Sequence, residues 1–295
     1  FGASWLRECT APVIVTLHNY RHICANALLF REGSTCFECP DGHVFSAIRY
    51  ACYRDSRLAT APLAIGVKRG LSRNPTFACA RRLVVMNSES AELFVRTGAD
   101  ESKMRVVPHS VDSNPFVGKV PRSHAWLVVG RLSPEKGVRQ LVGNWPADEL
   151  LDIVGQGEES AAIKSACGAN IRLLGVVERR DMRERMASYH GLVFPSRWLE
   201  PQGLVVMEAL AAGLPIVAHQ ASPIASMITS EGVGFSYSDS PESLSMALRK
   251  VSEQRESMAE KALQLFRREY SHEIWLRRIN KVYSEARGTS PPGKA

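Results

Sequence analysis

No apolar run in the 295-residue chain approaches the roughly 18–20 residues of a membrane-spanning helix, and no secretory signal opens it. The expectation is a cytoplasmic protein, in peripheral contact with the inner face of a membrane at most. Aromatic residues make up only 7%, too few to interleave with the basic clusters at 68–82 and 249–278 as a stacking surface. This weighs against a nucleic-acid reader. It leaves the net charge of +7 to a polyanionic ligand, an anionic membrane surface or plain solvation. There is no Asp-x-Asp pair of the kind that holds a catalytic divalent ion. Seven cysteines in a chain read as cytosolic do not make a disulfide framework. With 45% apolar and 23% charged residues, the chain reads as a globular protein of about two domains.

What is present is an alternation of short apolar runs and longer amphipathic stretches, the pattern of parallel sheets covered by helices on both faces. Residues 11–17 (APVIVTL) read as a strand buried on both faces, with His18 at its carboxyl end. Residues 42–80 read as helical segments broken at Pro62 and Pro75. A strand follows at 83–86, then N-cap residues Asn87 to Ser90, a helix ending near Gly98, and a short strand at 105–107. Residues 113–122, with two prolines and a glycine, read as a linker. Beyond it the strand 126–129 ends in Gly130-Arg131. Ser133 and Pro134 then look like the N-cap and first position of a helix. Lys136 would sit in that helix's first turn, where the macrodipole disfavours a cation by about 0.3–1 kcal/mol, a placement that makes sense beside a bound anion. Further strands are expected at 150–154, 170–174, 192–194 and 215–218, and helices at 181–189, 241–254, 257–269 and 273–286.

The densest signal is 192–217, LVFPSRWLEPQGLVVMEALAAGLPIV. A strand enters a Pro-rich turn and then a helix from about 203 to 212 in which Glu208 is the lone charge. A buried carboxylate needs a partner, since its desolvation costs several kcal/mol. Ribose or sugar hydroxyls would serve. The plainer alternative is a core helix whose Glu208 meets an arginine, with Glu200 solvated. The spacing Glu200-x₇-Glu208 resembles the signature of retaining glycosyltransferases of the GT-B fold, glycosyltransferase family 4. The stretch GRLSPEKG at 130–137 resembles that family's second motif, and 16–39 its N-terminal domain.

The resemblance implies an α/β fold of two Rossmann-like parallel-sheet domains facing a cleft. It implies transfer of a sugar from a UDP- or GDP-sugar to a glycan, lipid-linked or small-molecule acceptor, with retention and without a catalytic metal. Glu200 would contact the transferred sugar and Glu208 the ribose. The amides of Gln202, Gly203 and Leu204 would approach the sugar and diphosphate. Gly130, Arg131 and Lys136 would hold the diphosphate, Val176 would lie against the base, and His18 beside the donor sugar and acceptor. His18, Arg131, Lys136 and Glu200 are thus the candidate catalytic residues. Three departures stand out: Gln202 replaces the usual aromatic, His109-Ser110 replace an Asn-Gly pair, and a Gly pair after 215–218 is missing.

The expected division is 1–115 as an incomplete acceptor-side domain, 123–270 as the nucleotide-sugar domain, 271–287 as a helix crossing back, and 288–295 as a disordered tail. The first domain is expected to lack the family's opening strands and their Gly-rich loop. Two rival readings are a non-catalytic nucleotide-sugar-binding module and a dinucleotide-dependent oxidoreductase. The second would rest on Gly155-x-Gly157, where Ser160 stands in place of the third small residue. Separately, the spacing Cys24-x₁₁-Cys36-x₂-Cys39-x₁₂-Cys52 in a turn-rich stretch partly matches a structural four-thiolate zinc site.

Overall fold

The structure is a computed structural model whose described residues are 3–288. Of the tail expected at 288–295, all but Gly288 lies outside them. The chain divides into two compact units. One comprises the residues up to His109 together with those from Trp275 onward, and the other Ser110–Ile274.

In the first unit, β1 (Val13–Thr16) is followed by a two-residue-per-strand hairpin, β2 (Phe30–Arg31) and β3 (Ser34–Thr35). Three helices follow: α1 (Phe45–Arg49), α2 (Arg57–Lys68) and α3 (Pro75–Cys79). Then come β4 (Ala80–Val85), α4 (Ser88–Arg96) and β5 (Met104–Val106). β1, β4 and β5 form a parallel sheet in that order. The expectation that β1 is buried on both faces is corrected: all four of its residues are half-buried. The strand lies at the sheet's edge among the described residues, with β4 as its neighbour. Pro62 does not break a helix but sits inside α2. The amide it lacks would have bonded the carbonyl of Leu58, on a turn whose side chain is 89% exposed, so water can take the place of the missing donor. Pro75 does mark a boundary, opening α3 behind the Asn74 cap.

The second unit carries β6 (Trp126–Val129), α5 (Val138–Gly143), β7 (Leu151–Val154), α6 (Ser160–Ala166) and β8 (Ile171–Gly175). It continues through α7 (Arg179–Met186), β9 (Leu192–Phe194), α8 (Leu204–Ala211), β10 (Ile216–His219), α9 (Pro223–Ser230) and β11 (Gly234–Tyr237). The segments expected as two helices are one, α10 (Pro241–Leu265), because nothing between 254 and 257 interrupts hydrogen bonding. The six strands are all parallel, in the order β11-β10-β9-β6-β7-β8. Side-chain alternation sorts the core: Trp126, Val128, Val193 and Val217 pack on one face, and Leu127, Leu192, Phe194 and Ile216 on the other. Residues 113–122, read as a linker, lie with this unit. Within them Asn114 donates from Nδ2 to the carbonyl of Arg183 at 2.7 Å.

The last helix, α11 (His272–Arg287), returns the chain to the first unit. There Trp275, Ile279 and Val282 pack on Ile14, Val84 and Val107. Glu285 accepts from Arg82 Nε at 3.2 Å and Arg105 Nε at 2.7 Å, tying the helix to β4 and β5. Burial pushes the Glu285 carboxyl up, but the two guanidinium hydrogen bonds outweigh it and hold the group below its ordinary range. The ionised form is thus the folded form, so its contribution is present at neutral pH and lost as pH falls through the depressed value. Glu285→Gln should destabilise the first unit by about 1–3 kcal/mol. Hydrogen exchange should show faster opening of β4 and β5 in the variant at pH 7. The gap from wild type should close in acid.

Candidate functional site

Strands β7 and β8 follow β6 on one side of the six-stranded sheet, whereas β9, β10 and β11 lie on the other. The chain therefore reverses its direction of winding between β6 and β9. In open parallel sheets the loops leaving such a point at the carboxyl edge part and form a crevice. From β6 comes the loop 130–137, and from β9 the loop 195–203. The first predicted motif sits on the loop 130–137, and the second spans the loop 195–203 and continues into α8, which carries Glu208.

The loops are in close backbone contact. Arg197 donates its amide to the carbonyl of Glu135 at 2.9 Å. Gly137 is left-handed, with φ +67°, and a Cβ there would lie 2.3 Å from the carbonyl oxygen of Pro195. Here the structure corrects the expected helix start. Pro134–Lys136 form a single 3₁₀ turn, Ser133 makes no side-chain cap, and α5 begins only after Gly137. Lys136 is therefore not in the first turn of an α-helix. Ser133 instead donates its hydroxyl to the buried Glu135 carboxylate at 2.7 Å. The turn aims Lys136 across at the β9 loop. Its Nζ donates to both carboxylate oxygens of Glu200 at 2.8 Å, and Ser196 Oγ donates to the same carboxylate at 3.1 Å. Both charged side chains are largely buried. Nζ also stands 5.4 Å from the centroid of the Trp198 ring. The plainer alternative, a solvated Glu200, is thus replaced by an ion pair between residues 64 positions apart. Arg131 projects toward solvent, its guanidinium 3.6 Å from Glu135.

The β9 loop is braced from behind. Arg197 makes a two-pronged bond to Asp239 at 2.6 and 2.7 Å, and the buried His219 reaches Asp239 Oδ1 at 3.2 Å. Burial, and then the Arg197 charge, lower the His219 pKa although Asp239 opposes this. Gln202 is buried. Gly203 opens α8 in the left-handed conformation, and no side chain caps the helix. Leu204 is half exposed.

Glu208 faces a second recess at the same sheet edge, about 210 Å³, walled by Val129, Val154, Val177, Met182 and Met186 with Arg179 and Arg183 at its polar side. The arginine foreseen in the plainer alternative is there: Arg179 stands 3.7 Å from Glu208. That guanidinium is mostly exposed and the contact is long. Burial raises the Glu208 pKa against the pull of Arg179 and Arg183. Val176 is 67% exposed, and it is its neighbour Val177 that lines the recess. The Gly155-x-Gly157 pair serves close packing of loops: a Cβ at Gly155 would fall 1.8 Å from the carbonyl oxygen of Gly130, and one at Gly157 2.2 Å from that of Leu132.

His18 lies in the first unit, just past β1. It stacks on His109 with centroids 5.0 Å apart, and His18 Nδ1 is 3.2 Å from His109 Nε2. All seven cysteines are free thiols. Cys24, Cys36, Cys39 and Cys52 line one small pocket in the first unit. As they stand, no three His, Cys, Asp or Glu side chains among the described residues form a group placed to hold a metal ion. Sequence reasoning missed Trp198, Arg179, Arg183 and Met182. The last three could have been sought, because a helix with six charges in eight residues (RRDMRERM) that opens directly after a strand-edge loop is well placed to offer cations to a ligand. A larger groove of about 650 Å³ runs between Asp148, Glu149 and the start of α10. Its carboxylates, with Arg249 as the only basic residue in its lining, would repel a diphosphate.

Residues 115–264, just over half of the chain, match the sequence profile of Glycosyl transferases group 1. The chain belongs to that family. Curated relatives include glycogen synthase of Mycobacterium tuberculosis, 29% identical over 166 residues, covering 51% of this chain and 39% of that protein. The GDP-mannose-dependent alpha-mannosyltransferase of the same species is 34% identical over 126 residues, covering 42% of this chain and 30% of that one. The chain thus spans about two fifths or less of the length of these relatives. Among solved structures, Anabaena HepE in complex with UDP and glucose superposes with a TM-score of 0.64 at 17% identity, covering 83% of this chain and 81% of its own. Sucrose-phosphate synthase from Thermosynechococcus elongatus gives 0.65 at 15% identity, covering 93% and 68%. At such identities the likeness is one of fold, the α/β parallel-sheet fold of GT-B glycosyltransferases.

Because the loops 130–137 and 195–203 touch at Gly137, Gly137→Ala should force them apart. The left-handed backbone alone costs an Ala about 1–2 kcal/mol, and the clash with a backbone oxygen adds to it. Urea unfolding should show a loss of at least about 1 kcal/mol, with hydrogen-exchange protection falling first at 134–137 and 195–203.

Proposed function

We propose that this chain transfers a sugar from a nucleoside-diphosphate sugar to an acceptor hydroxyl with retention at the anomeric carbon, as the resemblance to glycosyltransferase family 4 implies. The observation that carries the reading is the Lys136–Glu200 pair at the switch point between β6 and β9. Each partner there is half of a donor site. The ammonium matches a phosphate oxygen, and the carboxylate matches sugar hydroxyls. Each neutralises the other until a donor separates them. A partly buried ion pair gives little net stability, because desolvation offsets most of its attraction. It is therefore easily exchanged for a ligand carrying both an anion and hydroxyl donors.

Arg131, exposed and forked, adds a second cation for the diphosphate. The uncapped start of α8 adds backbone amides at 203–204, pointing where a phosphate or sugar oxygen would rest. These groups oppose the negative charge that grows on the departing nucleoside diphosphate as the glycosidic bond breaks, the largest electrostatic demand of the reaction. In the retaining scheme implied by the resemblance, that departing phosphate also takes the proton of the attacking hydroxyl. Glu208, in the apolar recess, would accept hydrogen bonds from the ribose hydroxyls, displacing the long Arg179 contact. The valines and methionines of the recess would cover the base. The relatives' names include both a GDP-mannose-dependent enzyme and a protein crystallised with UDP, so both nucleotides belong in the test. Acceptors in scope are a glycan, a lipid-linked sugar or a small polyol, the lipid-linked case being met at the inner face of a membrane from the cytoplasm.

Calorimetry with UDP and GDP should show saturable binding of one of them. Lys136→Ala should weaken it at least tenfold. Glu208→Gln should weaken it by about 1.5–3 kcal/mol, the loss of a charged acceptor. Product NMR after offering a panel of nucleotide sugars should show the donor's anomeric configuration kept. No binding of either nucleotide by the folded wild-type chain, or an inverted product, would reject the reading.

A further inference from the structure

The first unit holds a feature that sugar transfer does not use. Between β1 and α2, residues 18–56 contain only the hairpin β2–β3 and the one-turn helix α1 as regular structure. A stretch of this length with so few ladder hydrogen bonds is unusual inside a compact unit. It is nonetheless bent into costly conformations. Every non-glycine residue with positive φ among the described residues lies here: Ala27, Leu29, Glu32, Ala51, Arg54 and Asp55. Each left-handed residue costs about 1–2 kcal/mol. Such strain persists only where the surroundings over-determine it, commonly at ligand clamps.

These bends bring four cysteines that span 29 positions of sequence onto one pocket. Cys24 and Cys36 stand on either side of the hairpin. Cys36 and Cys39 stand on the turn after it, where the amide of Cys36 bonds the carbonyl of Leu29 at 2.8 Å. Cys52 follows α1, with its amide on the carbonyl of Ala47 at 3.0 Å. The pocket has a free volume of about 10 Å³, room for a single water-sized sphere.

The donors around the sulfurs point to negative charge. Backbone amides of Leu29, Asn26 and Ala27 are directed at the Cys24 sulfur, and that of Ala25 at Cys39. The Arg31 guanidinium, held over the Tyr50 ring at 3.8 Å, reaches Cys52 and lies 3.6 Å from Glu38. Amide donors converging on sulfur stabilise a thiolate, yet without a cation four thiolates at one pocket cannot coexist. In the neutral state Cys24 donates its proton to Asn26 Oδ1 at 2.9 Å, and the sulfurs do not form a ligand group. A divalent ion reverses that balance outright.

We propose that Cys24, Cys36, Cys39 and Cys52 bind one zinc ion as four thiolates, a structural site that staples the segment between β1 and α2. On binding, four S–H bonds give up their protons to solvent and four Zn–S bonds form, and Cys24 surrenders its bond to Asn26. Nothing is oxidised or reduced. All four residues wall the same pocket, and the sulfurs must move from their present positions to close the tetrahedron. Four thiolates in a tetrahedron select zinc over hard cations such as magnesium or calcium. The Arg31 charge offsets part of the site's net negative charge.

Protein purified in reductant without chelator should carry about one zinc per chain by elemental analysis. Stripped of metal and titrated with Co²⁺, it should develop the absorption of a tetrahedral tetrathiolate complex, and zinc should bleach it. Cys36→Ser/Cys39→Ser should lose the metal, whereas Cys79→Ser and Cys167→Ser should keep it. Should the double variant fold poorly, Co²⁺ titration of the stripped wild-type chain decides the matter without it. The proposal fails if the chain holds less than about a tenth of an equivalent of zinc and its thiols leave added Co²⁺ unbound. It fails equally if iron is found instead, or if the double variant retains full zinc.

Discussion

The second unit depends on one meeting of two loops. At the carboxyl edge of the sheet, the backbone after β6 and the backbone after β9 come so close that residue 137 must lack a Cβ. The Lys136–Glu200 pair is positioned by that contact. The single 3₁₀ turn 134–136 ends at Gly137, so Lys136 is presented sideways to Glu200. The β9 loop in turn is held by the Arg197–Asp239 fork and the buried His219. Two residues 64 positions apart therefore stand 2.8 Å apart without either belonging to an α-helix. Rigid strands fix the two loops precisely enough for the pair to meet.

Why such a pair is tolerated in a largely buried place is a question of compensation. A lone Lys136 or Glu200 there would pay a desolvation penalty of several kcal/mol. Paired, with Ser196 adding a hydroxyl and Trp198 a ring face, the two roughly cancel it. Glu208 is satisfied less well. Its partner Arg179 is distant and mostly in water, and burial keeps its pKa raised. The two carboxylates of one motif thus sit in different electrostatic states. On the proposed reading this fits their different ligands, the transferred sugar for one and the ribose for the other.

The first unit is stabilised by other means. Its sheet has three short strands, and its edge strand β1 is only half-buried. The helix α11 supplies an apolar cover in Trp275, Ile279 and Val282 and a carboxylate that two arginines share. The long irregular segment beyond β1 has only the short β2–β3 hairpin as a ladder. Its ordering falls to buried side chains such as Tyr20, Ile23, Leu29 and Val44, and to Ala25 and Ala47 with Cys39 and Cys52 packed beside them.

The sequence by itself determined the class of fold and singled out the two stretches, 130–137 and 192–217, whose loops meet at the sheet edge. Runs such as 126–129 and 192–194 are apolar at every residue because both faces of a parallel strand are covered. Glu208 stood out because a charge in an apolar helix needs a reason. Local signals misled where distant atoms intervened. Ser133-Pro134 looks like a helix start, yet the carbonyl of Pro195 requires a left-handed glycine at 137 and delays the helix. Pro62 looks like a break, yet α2 runs through it. Only the tertiary structure decided that Lys136 meets Glu200, that Val177 rather than Val176 walls the recess, and that Trp198, Arg179 and Met182 join the site. Those are pairings across the sheet between residues far apart in the chain. They follow from strand order, which periodicity leaves open, because any order of six parallel strands would bury the same apolar faces.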